Sequence, residues 1–157
     1  GHMDGGLGLL LTGNGTGEFT PCWPKESGIV IPEDAKALTV MDVDRNLTPD
    51  LIVSTNNGPV KVFTNSASPD HFFTVGLQGP PGNPEGIGSR ITLETKKSRL
   101  LVAEVYAGGS YLSQSAAALT FGLGTDDQIE AVQVRWPDGT ITRKQPAESS
   151  AIRIAYP

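Results

Sequence analysis

The fold class is decided by residues 129–143, which read IEAVQVRWPDGTITR. Apolar and polar side chains alternate from Val132 to Trp136, as they do in a strand that packs one face on a core. The triplet Pro137-Asp138-Gly139 then predicts a turn, because Pro presets φ, Asp caps the turn and Gly accepts positive φ. The stretch therefore predicts two β-strands, 129–136 and 140–143, joined by a tight turn.

Similar strand patterns extend outward from this stretch over the second part of the chain. Residues 78–89 between two of them hold three prolines and four glycines and must form a loop. Six or seven short strands over about 90 residues are typical of a β-sandwich or a partly open β-barrel. The predicted strands are 72–77, 90–94, 100–106, 118–121, 129–136, 140–143 and 151–155.

The first part of the chain also predicts strands, at 7–11, 37–41, 51–54 and 60–63. Asn57-Gly58, between the last two, is a strong signal for a two-residue hairpin. We expect these four strands to form one antiparallel unit of the kind found in a propeller blade. Residues 1–3 are typical of a cloning remnant, and the polar connector at 66–70 marks the boundary. The predicted domains are a blade at 4–65 and a small β domain at 66–157.

Composition and charge exclude several functions. The chain has 157 residues, 18% of them charged, and a net charge of −5. Without clusters of Lys and Arg, an acidic chain is a poor binder of nucleic acid or of an anionic membrane surface. No run of about 18 apolar residues is present, so no membrane span is predicted. The one cysteine, Cys22, cannot form an internal disulfide.

Residues 42–50, which read DVDRNLTPD, form a candidate metal loop between two apolar strands. Oxygen-bearing side chains stand at alternate positions, where a tightly wound loop points them inward, and calcium prefers six to eight hard oxygen ligands. The candidate ligands are Asp42, Asp44, Asn46, Thr48 through its backbone carbonyl, and Asp50.

Two residues depart from an ideal calcium loop. Leu47 stands where Gly usually makes the sharp turn, and Arg45 places a cation beside the ion. Two interpretations therefore stay open: a calcium loop, working or degenerate, or aspartates that only cap turns by accepting backbone N–H bonds.

The first part resembles one repeat of the FG-GAP/VCBS family. The resemblance rests on the strand Leu38–Met41, the loop that follows, and the strand Val60–Phe63 running into Thr64-Asn65. The upstream turn Gly13–Phe19 is similar to the blade-closing turn of that repeat. The resemblance implies an extracellular β-propeller that is often stabilised by calcium, of which this chain holds about one blade.

The second part resembles the ASPIC/UnbV domain, which typically follows FG-GAP repeats at the C-terminus of secreted proteins. Four blocks carry the resemblance in order: Gly86–Thr92, Gly108–Ser115, Phe121–Gly124 and Val132–Gly139. The family pattern offers no established catalytic residues. It implies a non-enzymatic fragment of a larger protein that is extracellular, on the cell surface or periplasmic.

The expected function is binding or structural, with an unidentified protein or glycan partner. Because a single blade leaves its edges open, either the second domain or a second copy of the chain is expected to cover them. Carbohydrate binding is an alternative, with aromatic faces for stacking. An accessory enzyme domain is a weaker alternative, since no nucleophile and base can be assembled. The candidate ligand-binding residues are Tyr106, Tyr111, Gln114 and Trp136.

Overall fold

The computed structural model describes residues 6–124, 128–147 and 149–157, and within them the chain is almost entirely β. The all-β prediction is confirmed. One short helix, α1, covers Pro24–Ser27, and a 3₁₀ turn covers Pro69–His71. The strands are β1 Leu10–Gly13, β2 Phe19–Cys22, β3 Ala35–Met41, β4 Asp50–Thr55, β5 Lys61–Phe63, β6 Phe72–Gln78, β7 Arg90–Thr95, β8 Leu100–Glu104, β9 Leu119–Gly122, β10 Ile129–Arg135, β11 Ile141–Lys144 and β12 Ala151–Ala155. The predicted cloning remnant at 1–3 lies outside the described residues.

The second part of the chain, from β6 onward, forms two sheets that share one hydrophobic core. One sheet has the strand order β11-β10-β7-β8 and the other the order β12-β6-β9. Alternate side chains of both sheets point inward, as the period of two predicts. The buried cluster is Phe73, Val75, Leu77, Ile91, Leu93, Val105, Phe121, Leu123, Val132, Val134, Trp136 and Ile154. A sandwich therefore forms, and its seven strands match the predicted ones to within a few residues.

The turn between β10 and β11 fixes the largest side chain of this core. Trp136 is 1% exposed, and its indole Nε1–H donates to Thr142 Oγ1 at 2.9 Å. The ring of Tyr156 packs edge-on against it, with ring centroids 5.3 Å apart. The Tyr156 hydroxyl donates to Asp138 Oδ2 at 2.7 Å. One turn thus anchors both the core and the last residues of the chain.

The last strand, β12, pairs in parallel with β6, from Ala151 beside Thr74 to Ala155 beside Gln78. The other pairs in both sheets are antiparallel. A parallel neighbour requires the chain to cross over from β11 in one sheet to the far edge of the other. The end of the chain therefore ties the two sheets together.

The prediction of one four-stranded unit in the first part is wrong. The strand β1 pairs with β2, whereas β3, β4 and β5 form a separate three-stranded sheet. Asn14 stabilises the turn between β1 and β2. Its side-chain Oδ1 accepts the backbone N–H of Thr16 at 2.8 Å, and its backbone N–H donates to Glu18 O at 3.1 Å. The first strand therefore folds back on β2, which the strand patterns did not reveal.

The connection between β4 and β5 has the predicted length but not the predicted turn type. Strand β4 ends at Thr55 and β5 begins at Lys61, so residues 56–60 form the turn and a two-residue hairpin is wrong. Asn57 has the predicted positive φ, at 54°. The hydroxyl of Thr55 donates to Pro59 O at 3.0 Å and so bridges the two sides of the turn.

The first part buries few of its apolar side chains. Among the described residues before 66, the buried hydrophobic side chains are Ile31 and Val53, whereas thirteen others lie in the second part. Since burial of apolar area is the main favourable term in folding, this part depends on neighbouring surfaces for stability.

Candidate functional site

The candidate metal loop lies between β3, which ends at Met41, and β4, which begins at Asp50. One carboxylate oxygen each of Asp42, Asp44 and Asp50 lies within 4.8 Å of the others. Asp42 is half-buried, Asp44 is exposed and Asp50 is buried. The spacing in the sequence thus brings three negatively charged groups to one point of the loop.

The loop is wound tightly by bonds from backbone N–H groups to these carboxylates. Asp42 accepts from the N–H of Asn46 at 3.1 Å and from that of Leu47 at 3.0 Å. Arg45 and Leu47 both adopt positive φ, at 63° and 68°. Leu47 therefore holds the left-handed conformation for which glycine is favoured, and the loop forms despite the substitution.

Asp50 is the buried centre of the loop, with 0% of its surface exposed. Its Oδ1 accepts the N–H of Asn65 and its Oδ2 accepts that of Val43, both at 2.8 Å. These two bonds, with that from Asn65 the stronger, hold the pKa of the Asp50 carboxyl below its ordinary value in spite of its burial. Asp50 therefore stays ionised and joins the start of the loop to the end of β5.

All polar groups of Asn65 are hydrogen-bonded, and all except its side-chain Oδ1 are bonded to the loop. Its backbone carbonyl accepts from Asn46 Nδ2 at 3.0 Å and from Thr48 Oγ1 at 2.8 Å. Its side chain donates to Pro49 O at 3.3 Å and accepts the N–H of Ala67 at 3.0 Å. The loop thus fixes the residue from which the chain leaves the first part.

The donor set fits a hard divalent cation such as calcium. Three carboxylates converge, and calcium prefers oxygen ligands of this kind. Asp42, Asp44 and Asp50 would hold the ion. Asn46 Oδ1 accepts the N–H and the hydroxyl of Thr48 in this conformation, so Asn46 would have to turn to become a ligand.

A second polar cluster joins the two parts of the chain. Strand β3 is the edge of its sheet, and residues 113–115 of the second part lie along that edge. Ser113 Oγ accepts the N–H of Leu38 at 3.3 Å and donates to Leu38 O at 2.6 Å. Ser115 Oγ accepts the N–H of Val40 at 3.1 Å, and Thr39 Oγ1 donates to Gln114 O at 3.2 Å. Three successive residues of an open edge are thus bonded by one segment.

The structure separates the predicted ligand-binding residues. Trp136 is buried and cannot offer a stacking face. Tyr106 and Tyr111 are 62% and 75% exposed. The Tyr106 hydroxyl donates to Glu104 Oε2 at 2.6 Å, and this bond raises the pKa of Tyr106. Gln114 Oε1 accepts the N–H of Gly108 at 3.0 Å, so its side chain closes the loop.

Tyr111 also lies beside an apolar groove of about 360 Å³ between the two parts. The groove is bordered by residues 8–10, by β3 and β4, and by Ser110 and Tyr111. Its apolar lining includes Leu38, Leu51 and Val53. The junction therefore combines a polar contact along β3 with an incompletely filled apolar space next to it.

Sequence reasoning missed the roles of Asn65 and of the serines in the 108–115 block. Asn65 was recognised only as the last residue of a strand pattern, and the bonds that it makes come from residues up to 19 positions away. Ser113 and Ser115 contact residues 75 positions away. No local pattern reports contacts at such a separation.

Comparison with known proteins finds a family match within the second part of the chain. Residues 79–153 match the family model described as ASPIC and UnbV. Over 73 residues, or 45% of this chain, the sequence is 37% identical to cartilage acidic protein 1 of Xenopus tropicalis. The chain covers 11% of the length of that relative. These findings support the ASPIC/UnbV assignment.

The family match begins at residue 79, so the FG-GAP/VCBS resemblance of the first part stays a prediction. The boundary at residues 66–70 likewise stays a prediction. Among the described residues, no helix is long and apolar enough to cross a membrane.

Proposed function

We propose that this chain is a non-enzymatic extracellular module with a structural and binding role, in which an ASPIC/UnbV-type unit covers the open edge of an FG-GAP-type unit. The extracellular location is supported by the similarity to cartilage acidic protein 1. The covering role is supported by the bonds that residues 113–115 make to β3. The chain would then be the C-terminal part of a larger protein.

The contacts of Ser113 carry the proposal. In an antiparallel pair, a residue whose N–H and C=O both face away from its partner strand leaves two unpaired groups at an open edge. Leu38 is such a residue, and one hydroxyl satisfies both of its groups. Ser115 satisfies the N–H of Val40, the next outward-facing residue. The segment thus replaces a neighbouring strand.

Amide hydrogen exchange in the double variant Ser113→Ala, Ser115→Ala tests this role. Loss of a hydrogen bond of about 1 kcal/mol should speed exchange at Leu38 and Val40 by about five- to tenfold. Thr39, whose N–H points to β4 by the alternation of the strand, should exchange at an unchanged rate. Ser110→Ala, in the same loop, is the control because its hydroxyl makes none of these bonds. Equal protection at Leu38 in wild type and double variant would refute the covering role.

Calcium binding is the second element of the proposal, supported by the three carboxylates that lie within 4.8 Å. A bound cation would reduce the repulsion among them and stiffen the hold on Asn65. Isothermal titration with calcium should give binding heat for wild type and none for Asp42→Ala or Asp44→Ala. Asp70→Ala, an exposed carboxylate outside the loop, should bind as wild type does. Absence of binding heat in wild type would refute calcium binding, and the aspartates would then serve only to cap turns by accepting backbone N–H bonds.

Carbohydrate binding is the other candidate, and it now depends on Tyr106 and Tyr111 because Trp136 is buried. Exposed tyrosine rings can stack on sugar rings. A glycan array probed with wild type and with Tyr106→Ala and Tyr111→Ala variants tests it. Hits that both variants retain would assign the binding to another surface.

A further inference from the structure

The chain holds the dipeptide Asn-Gly twice, at Asn14-Gly15 and at Asn57-Gly58. Asparagine before glycine readily loses its side-chain amide without an enzyme, because glycine has no Cβ to keep its backbone nitrogen away from the preceding side chain. Both asparagines lie in connections between strands, and both are exposed. Sequence and exposure therefore do not distinguish the two sites.

The fold holds the side chain of Asn14 by both of its polar atoms. Its Oδ1 accepts the N–H of Thr16 at 2.8 Å and the Thr16 hydroxyl at 2.7 Å. Its Nδ2 donates to Glu18 Oε2 at 2.9 Å. The side chain must give up these bonds before it can turn its amide carbon onto the Gly15 nitrogen.

The side chain of Asn57 is not held in this way. Its backbone takes a left-handed φ of 54°, and its side chain makes no hydrogen bond to any described residue. The neighbouring Asn56, by contrast, donates to Asp34 Oδ2 at 3.3 Å, and no glycine follows it. Asn57 therefore combines an unbonded amide with a glycine nitrogen next to it.

Among the described residues one Asp-Gly pair, Asp138-Gly139, could form the same five-membered ring with loss of water. Its carboxylate accepts the N–H and the hydroxyl of Thr140, both at 2.9 Å, and the Tyr156 hydroxyl at 2.7 Å. This side chain is thus held as that of Asn14 is. Of the three pairs that the structure describes, Asn57-Gly58 is the one with an unbonded side chain.

We propose that Asn57-Gly58 is a site of spontaneous deamidation in the folded protein, and that the fold protects Asn14-Gly15. The backbone nitrogen of Gly58 forms a bond to Cγ of Asn57 and loses its proton. The Cγ–Nδ2 bond breaks, and the departing nitrogen takes up a proton and leaves as ammonia. Water then opens the five-membered imide at either carbonyl, which leaves aspartate or isoaspartate at position 57.

The product changes both the charge and the backbone of this turn. Either product adds a negative charge, and isoaspartate also adds a methylene group to the main chain between β4 and β5. Strand β5 is the edge of its sheet opposite β3, so the change lies away from the bonds that Ser113 makes. The reaction and the covering role of residues 113–115 can therefore fail independently.

Incubation of the folded chain at mildly alkaline pH, followed by peptide mass spectrometry that separates aspartyl from isoaspartyl products, tests the proposal. Each exposed hydrogen bond slows the release of a side chain about two- to fivefold, so Asn57 should deamidate at least about tenfold faster than Asn14. Asn56 should stay intact and serves as an internal control. Asn57→Gly, which keeps the left-handed backbone, should abolish ammonia release from this turn.

The urea-unfolded chain is the matched control, because the two Asn-Gly pairs then differ little in their surroundings. Their rates should be similar there. In the folded chain, Thr16→Ala combined with Glu18→Ala removes two of the bonds to Asn14 and should raise its rate about fourfold or more. A ratio of the Asn57 rate to the Asn14 rate that is no larger in the folded chain than in urea would overturn the proposal. An Asn57 rate no higher than that of Asn56 would also overturn it.

Discussion

Gly86 gives the sharpest test of how the second part is packed. Its φ is +67°, and an added Cβ would lie 2.8 Å from Leu77 Cδ1 and 3.2 Å from the Trp136 ring. Gly88, two residues later, has a φ of +83°, but its nearest neighbour is Pro137 at an ordinary 3.5 Å. The two glycines therefore share the backbone requirement and differ in the space around them.

The expected loss of unfolding free energy in each Gly→Ala variant follows from the backbone strain and from the space around the added methyl group. Left-handed backbone costs a non-glycine residue about 1–2 kcal/mol, and alanine recovers about 0.4–1 kcal/mol by restricting the unfolded chain. Gly88→Ala should therefore lower the free energy of unfolding by about 0.5–1 kcal/mol. Overpacking adds about 1–3 kcal/mol at Gly86, so Gly86→Ala should lower it by about 2–4 kcal/mol.

Urea denaturation followed by tryptophan fluorescence measures both losses. With a slope of about 1.5 kcal/mol/M, Gly86→Ala should lower the midpoint by about 1.3–2.7 M. Gly88→Ala should lower it by less than about 0.7 M. Equal midpoints for the two variants would show that the contact of Gly86 with Leu77 and Trp136 does not constrain the core.

Three further variants test single groups. Leu47→Gly should raise the free energy of unfolding by about 0.5–1 kcal/mol, because Leu47 is exposed and left-handed; a lower value in urea denaturation would contradict this. Ser89→Ala should raise it by about 1 kcal/mol, because the Ser89 hydroxyl is buried without a hydrogen-bond partner among the described residues; a loss on denaturation would imply an unseen partner. The bond from Tyr156 lowers the pKa of Asp138 most, followed by that from the N–H of Thr140. Tyr156→Phe should therefore raise that pKa, as NMR titration would show. Because the Asp138 pKa is lower in the folded protein, ionised Asp138 stabilises the fold at pH values above the pKa of about 3.9 that it has in the unfolded chain. Most of the difference in free energy of unfolding between wild type and Tyr156→Phe should therefore vanish as pH falls through the Asp138 pKa of the folded protein.

The strands of the second part could be predicted because their signals are local. Alternation from Val132 to Trp136 and the turn residues that follow are set by backbone preference and by one buried face. The same reasoning failed for β1, since pairing depends on which strand the turn at Asn14 brings alongside. The strand patterns predicted a strand at residues 7–11, close to the position of β1, but did not predict that this strand pairs with β2.

The candidate metal loop was predicted from spacing alone, and the structure brings three of its five named residues together as carboxylates. The roles of Asn65 and Ser113 could not be predicted in this way. A polar residue at a strand end or in a loop has many possible partners, and only the folded chain selects one.

What the sequence determined by itself is thus the β class, the approximate strand limits of the second part and the loop that gathers Asp42, Asp44 and Asp50. Each depends on residues a few positions apart, whose geometry the backbone fixes. The tertiary structure decided the parallel pairing of β12 with β6, the burial of Trp136 and the docking of Ser113 on β3. These features depend on residues far apart in the chain, so they exist only once the sheets have formed and packed together.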